Sequence, residues 1–282
     1  MRLRFLFLVL LITTVNTLCQ SQNVSYVLYI NEEFRYNGEK PSKIIESDWK
    51  IYSDGPAEHT TIYVFDTAGR ILTEERFHEN GTLARRETYN WDHKKNRLTS
   101  LILEWQNNYV STWIHRWYQY DSSGCLTGSL DKNAKRETTG SVFFKVNAQC
   151  DPVEALQFDA ANELIEKETL EYLYKENKAI RRQFDNTDKL LNTDILEISL
   201  ANAYLFPSYQ KVYNKQGDIV GSINIKKFSN QIFKNEYEYQ YDSRGNWIAV
   251  KIYYSDLKKN RQWTKRTIVQ TKKRKIEYPP GK

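Results

Sequence analysis

Hydrophobic and polar positions alternate along much of this chain with a period of two. The alternation is clearest in residues 99–105 and 113–118. Because successive side chains of a β-strand point to opposite faces of its sheet, this period is typical of strands. The pattern therefore predicts that strands dominate residues 60–131, with no helical period of similar strength.

A short phrase of turn residues separates these strands. An aromatic residue, usually followed by Asp, precedes two or three polar residues, a Gly or Asn, and then an aliphatic residue or Trp. The clearest copies are residues 65–71, 120–126 and 241–247. In such a turn the Asp carboxylate accepts a backbone N–H bond, and the Gly takes a left-handed conformation. The predicted turn residues are Asp66, Gly69, Asp121, Gly124, Asp242 and Gly245.

Degenerate copies of the phrase extend it through the chain. They lie at residues 77–83, 158–164, 184–190 and 213–219, with looser versions at 91–98 and 174–180. The copies start at irregular intervals of about 10 to 40 residues, so the repeat drifts. This pattern predicts an all-β fold, an elongated antiparallel β-meander built from degenerate hairpin repeats. A sheet of more than about ten strands should twist, curl or fold over on itself.

The last copies carry a family resemblance. The Tyr-x-Tyr-Asp-x-x-Gly-Asn-Trp phrase at residues 239–247, together with Arg-Lys-Ile-Glu-Tyr at 274–278, resembles the YD-repeat and MORN-like proteins exported by Bacteroidota. The resemblance covers residues 62–278. It implies a repeat architecture used in shells, scaffolds, adhesin parts and antitoxin-like proteins, and it supplies no catalytic residue.

The start of the chain predicts export. Two early arginines precede an apolar run at residues 5–15, which is typical of a secretory signal, and cleavage is predicted after Cys19. The run is too short to span a membrane. Leu18 stands where a lipoprotein signal usually has a small residue, which disfavours lipidation of Cys19. We expect the mature protein in the periplasm, on the outer-membrane surface or outside the cell, without a transmembrane span.

The organisation predicted from these signals has three parts. Residues 1–19 are the signal peptide, residues 20–59 form a divergent N-terminal hairpin region that contains the turn signal Asn37–Gly38, and residues 60–282 form the repeat array. Within the array, residues 152–182 have helix-favouring composition. Their alternation and their turn phrases favour strands instead.

Charge is unevenly spread, with a formal net of +6 for the whole chain. Residues 258–282 hold ten basic residues and one acidic residue, Glu277. Two interpretations are open for the cluster at residues 272–275. It could contact an anionic surface, or its lysines could protect an edge strand from pairing with another sheet, which the alternation around it favours. Export argues against nucleic acid as a partner.

Export also affects the cysteines. Cleavage leaves Cys125 and Cys150, and an oxidising compartment permits a disulfide between them. Cys125 follows a turn Gly and Cys150 precedes the next turn phrase, so neighbouring positions are compatible with the pattern. Two free thiols remain the alternative.

The sequence contains no recognisable catalytic or metal constellation. The four histidines are scattered, and the motifs of Ser nucleophiles, phosphate loops and zinc sites do not occur. We therefore predict no catalytic residue, no metal and no cofactor. The candidate binding residues are aromatic: Trp105, Trp113, His115 and Trp117. Such faces stack on sugar rings, although packing within the protein is the alternative and the favoured one.

Three functions remain open from sequence alone. The first is an exported, non-enzymatic β-repeat protein that acts as an interaction or scaffold module of the cell envelope. The second is a glycan-binding module that uses the aromatic face. The third is an exported hydrolase whose site is assembled across strands. The partner would be an envelope protein or a glycan.

Overall fold

A computed structural model describes residues 38–52, 55–106, 111–199, 205–206, 210–225 and 231–280. The predicted signal peptide, Cys19 and Asn37 lie outside these residues. The described strands are β1 Lys43–Tyr52, β2 Gly55–Phe65, β3 Ile71–Phe77, β4 Leu83–Asp92, β5 Arg97–Gln106, β6 Ser111–Tyr120, β7 Leu126–Lys132, β8 Thr138–Val146, β9 Pro152–Asp159, β10 Leu164–Leu173, β11 Lys178–Asp185, β12 Leu190–Glu197, β13 Lys211–Tyr213, β14 Ile219–Ile225, β15 Ile232–Tyr241, β16 Trp247–Asp256 and β17 Thr267–Glu277.

These strands form one open antiparallel sheet, which confirms the predicted all-β meander. Strands that follow each other in the chain are paired from β2 through to β12, and again from β13 through to β17. β1 pairs with β2 on one side and with β17 on the other. The spatial order therefore starts at β13, passes through β17 and β1, and ends at β12. Within the described residues, no register pairs β12 with β13.

The repeated turn phrase has one backbone geometry throughout the sheet. In ten connections of the described chain, the N–H of the first residue donates to the carbonyl four positions on, and the fourth residue donates back to the first. The fourth residue has a positive φ in every case, and it is glycine in five of them. The first residues are Asp66, His78, Asp121, Asn133, Asn147, Asp159, Asp185, Asn214, Asp242 and Lys258. One turn design thus recurs with different side chains.

Side chains at the ends of each turn pair across the hairpin, as the phrase predicts. Phe65 lies opposite Ile71, and Tyr120 lies opposite Leu126. Tyr241 and Trp247 are paired in the same way. Each of these pairs adjoins the one-residue register shift that the left-handed residue creates, so the turn and the bulge form a single unit.

Buried side chains lie mainly on one face of the sheet, which we call the inner face. The first core cluster covers β1 to β6 and includes Leu101 and Ile44, which are almost wholly inaccessible to solvent. The second covers β8 to β11 and includes Phe144 and Ala179. A single layer can exclude water this completely only if its face curves back over itself, which is the behaviour expected of so large a sheet.

Two regions resolve questions that composition left open. Residues 152–182 form β9, β10, the start of β11 and a short 3-10 turn at Tyr174–Glu176, so the prediction of strands is confirmed there. The basic strand β17 is not an edge strand, because it pairs with β16 and with β1. The edge-protection interpretation of its lysines is therefore wrong. Sequence pattern could not reveal that the first and last described strands are neighbours.

Candidate functional site

Strand β6 presents a row of aromatic rings on the outer face of the sheet. Trp113, His115 and Trp117 alternate with Ile114, Arg116 and Tyr118, which point to the inner face and are buried. The period of two in the sequence produces this separation directly. We call Trp113, His115 and Trp117 the aromatic patch.

The rings of the aromatic patch are in contact with each other. The centroids of His115 and Trp117 are 4.2 Å apart with an interplanar angle of 32°. Trp113 meets His115 edge-on, with a centroid separation of 5.7 Å. Trp117 nevertheless leaves 46% of its surface exposed. Mutual packing therefore fixes the rings without hiding the outermost one, so internal packing and ligand contact are compatible here.

The aromatic patch forms one wall of a cavity of about 370 Å³. The other wall comes from the end of β7 and the turn that follows it, namely Lys132, Asn133 and Arg136. Lys132 is the register partner of His115. The Asn133 side-chain oxygen accepts bonds from the N–H groups of Lys135 and Glu137, which holds the turn in shape.

His115 is an uncharged member of this wall near neutral pH. Burial lowers the pKa of its imidazole below the ordinary value. Its Nε2 atom is inaccessible to solvent and has no hydrogen-bond partner among the described residues. The ring therefore serves as a packing surface between two indoles, and the positive charge of the cavity comes from its basic residues.

Trp105 does not join the aromatic patch. It pairs with Thr112 on β6, one position away from Trp113, and it packs against the first core cluster on the inner face. The sequence expectation of one surface built from three tryptophans thus differs from the structure at Trp105. The register between β5 and β6 places Trp105 and Trp113 on opposite faces, and the hydrophobic pattern did not determine that register.

The inner face carries charged side chains that sequence analysis did not single out. Glu46 accepts bonds from Lys272 and Arg274 at 2.9 and 2.8 Å. Arg116 forms a bidentate pair with Asp131 at 2.7 and 2.8 Å. We call the buried ionic residues of this face the inner charge band: Glu46, Glu74, Glu87, Arg116, Asp131, Glu168, Arg181 and Arg274.

The geometry of the inner charge band indicates a structural role. Arg181 bridges Glu168 and Asp194 across three strands, at 3.2 and 2.6 Å. The pKa of Glu46 lies below its ordinary value: burial opposes this shift, and the charges of Arg274 and Lys272 outweigh burial. Buried pairs of this kind add little net stability but penalise a shifted register, because a slip would leave charges unpaired. Their signal in the sequence is a charge every second residue on strands that otherwise look amphipathic.

The structure also shows where the two cysteines of the candidate disulfide lie. Cys125 and Cys150 are bridged and join two neighbouring hairpin turns, with their Cα atoms 5.0 Å apart. An open cavity of about 860 Å³ adjoins the bridge and is lined by Arg97, Tyr118 and Tyr120 among others. Arg97 already lies over the ring of Tyr120, with 4.4 Å from Cζ to the ring centroid. The bridge thus fastens the junction between the two core clusters.

Metal and membrane features were sought among the described residues. No group of three or more His, Cys, Asp or Glu side chains there could hold a metal ion. In that part of the chain, no helix has the length and hydropathy required to cross a bilayer.

Comparison with known proteins gives structural neighbours only. No protein-family model matches the chain, and no curated protein matches it. A porin-like protein from Bacteroides uniformis is similar over 85% of this chain and 98% of its own length, with 15% identity and a TM-score of 0.47. The TcdB2-TccC3 protein without its hypervariable C-terminal region is similar over 74% of this chain and 14% of its own, with 10% identity and a TM-score of 0.32. The complex TcdB2-TccC3-Cdc42 has a TM-score of 0.24.

Proposed function

We propose that this protein is an exported, non-enzymatic interaction module of the cell envelope that binds carbohydrate through the aromatic patch. The single observation that carries the proposal is the half-exposed ring of Trp117, held by His115 beside an open cavity. A flat, rigid ring presents its face to a sugar at little cost in conformational entropy. The secretory signal predicted from the sequence supports a compartment rich in glycans.

The position of the aromatic patch in the middle of the sheet supports a binding role. The patch lies on a strand paired on both sides, and the inner side chains of that strand are buried in the core. Such a strand holds its outer rings at fixed spacing, which suits recognition of a repeating polymer. The scaffold role remains the broader form of this proposal, with the sheet itself as the platform.

The proposal is tested by glycan-array screening followed by calorimetry with the polysaccharides that bind. Removing the ring in Trp117→Ala should weaken binding by about tenfold or more, which corresponds to about 1.4 kcal/mol. The matched control is Phe143→Ala, because Phe143 is also a half-exposed aromatic residue but contacts Phe158 outside the cavity. The control should bind as the wild type does.

The opposite outcomes are equally specific. Equal weakening by both variants would assign binding to general exposed apolar surface, and the aromatic patch would lose its role. Absence of binding across a broad array, together with a crosslinked envelope protein that Trp117→Ala still captures, would replace carbohydrate binding by a scaffold role. Reproducible turnover of a glycan that maps to particular side chains would establish an enzyme instead.

A further inference from the structure

The cavity beside the aromatic patch contains two basic side chains without acidic partners. Lys132 and Arg136 line it, and neither forms an ion pair with any described residue. Most arginines of the described chain do have such a pair, for example Arg86 with Glu75 and Arg116 with Asp131. The cavity therefore holds two basic groups outside the ion pairs of the described residues, beside an exposed indole.

The position of Arg136 is unfavourable for an arginine. It is the fourth residue of its turn and has φ +67°, in the left-handed region, where five of the equivalent turn residues are glycine. A side chain in this region is strained, and strain of this kind clusters at functional positions. Glycine would relieve this backbone strain. What arginine provides at this position, and glycine does not, is its guanidinium group.

We propose that the cavity binds an anionic polysaccharide, with an acidic sugar held between Lys132 and Arg136 and a sugar ring stacked on Trp117. This inference rests on the carbohydrate binding proposed above and specifies the charge of the ligand. The planar fork of a guanidinium donates two parallel bonds to a carboxylate or a sulfate. Two acidic residues are near the cavity: Glu137, whose carboxylate accepts a bond from Asn133 at 2.8 Å, and Glu104 opposite Trp113, which lies 3.7 Å from Arg86.

The decisive variant is Arg136→Gly, because it removes the guanidinium and relieves the left-handed backbone. Titration with polygalacturonate at low salt should show affinity about tenfold lower than that of the wild type. The thermal midpoint should stay unchanged or rise. The matched control is Arg261→Gly, since Arg261 occupies the same turn position with φ +61° and lies outside this cavity. It should match the stability change and leave affinity unchanged.

Four further measurements complete the test. Lys132→Gln should weaken polygalacturonate binding as well, and raising the sodium chloride concentration should weaken wild-type binding. Heparin, which carries sulfates, separates the two anionic chemistries, and the neutral polymer dextran reports binding without charge. Binding to either anion that depends on Arg136 supports the inference.

Each contrary result has one meaning. Wild-type affinity for both anionic polymers in Arg136→Gly overturns the inference. Equal wild-type affinity for dextran and polygalacturonate also overturns it, while the carbohydrate binding proposed above survives. If no glycan of any charge binds, the proposed function itself fails and the inference fails with it.

Discussion

At the scale of single residues, the fourth position of the repeated turn always has a left-handed backbone, and only some of the residues found there are glycine. Gly69, Gly124 and Gly245 occupy it with φ between +84° and +88°. Cys150 occupies it with φ +66° and forms the disulfide. Arg136 occupies it in the wall of the aromatic cavity. At Cys150 the side chain forms a bond that glycine could not form, and at Arg136 it supplies the guanidinium of the proposed anion site.

Substitution at this position should therefore depend strongly on the starting residue. Gly245→Val forces a β-branched residue to φ +85° beside Gly38 and should cost about 2 kcal/mol of unfolding free energy. Asn162→Gly at φ +62° removes a side chain from the same conformation and should change stability by less than about 0.5 kcal/mol. Urea denaturation of the two variants measures both. Equal or reversed changes would show that the turn at Asp242 is not held by its glycine.

At the scale of elements, neighbouring strands are matched by charge as well as by hydrophobicity. Glu46 on β1 meets Arg274 and Lys272 on β17, which joins the two ends of the described chain. Between β3 and β4 the outer face follows this rule through Glu75 and Arg86, but on the inner face Glu74 and Glu87 lie directly opposite each other. Like charges in that arrangement weaken a strand pair.

Replacing Glu74 should therefore stabilise the protein at neutral pH. Burial raises the pKa of the Glu74 carboxyl, and the charge of Glu46 adds to the rise, although Arg85 and Arg76 oppose it. A carboxyl with a raised pKa in the folded state favours folding when protonated. That contribution is complete below the pKa of the unfolded chain and is lost as pH rises through the folded-state pKa. Glu74→Gln should raise the thermal midpoint at pH 7, and the gain should shrink towards pH 4.

Glu75→Gln provides the matched control for this prediction. Glu75 is the next residue on β3, points to the outer face and pairs with Arg86 at 2.7 Å. Its substitution should leave the midpoint unchanged or lower it slightly, because exposed ion pairs contribute little. A lower midpoint for Glu74→Gln at pH 7 would mean that the carboxylate is needed by its arginine neighbours.

At the scale of the whole molecule, the pairing of β1 with β17 brings the first and last described strands together. Lys43 lies opposite Glu277, so the two ends of the described chain are adjacent in the sheet. The N–H of Ser42 donates to the carbonyl of Glu277 at 2.8 Å, and Asn246 contacts both Glu39 and Tyr278. The two outermost strands of the sheet, β12 and β13, are by contrast consecutive in the chain.

A circular permutant should consequently keep the fold. If a short Gly-rich linker joins residue 280 to residue 38 and the chain is opened between residues 199 and 210, every described strand pair becomes a local hairpin. Because loop closure then spans few residues, we expect far-UV circular dichroism like that of the natural order and faster refolding.

A second permutant, opened within residues 121–125, is the control. It should lose stability, because that break removes a capped turn beside Cys125. If the first permutant is the less stable one, the segment at residues 200–209 contributes structure that the described strand pairs do not provide.

The local structure of this protein follows from its sequence pattern alone. A period of two and a repeated turn phrase specify strands and hairpins, because both act between residues a few positions apart. They also placed Trp113, His115 and Trp117 on one face. The phrase does not predict every turn: the stretch from Asn133 to Glu137 lacks its aromatic, Asp and Gly residues but forms the same tight turn.

The pairing of strands far apart in the sequence, in contrast, is visible only in the folded sheet. The pairing of β1 with β17 made a basic strand internal, although its lysines resemble edge protection in the sequence. The registers of the β5–β6 and β6–β7 hairpins placed Trp105 against the core and Lys132 opposite His115 in the aromatic patch. Local propensity carries no information about such contacts, because they depend on registers and on burial summed over the whole sheet. The hairpins and the aromatic half of the candidate site could therefore be read from the residues, and the pairing of distant strands and the basic half of the site could not.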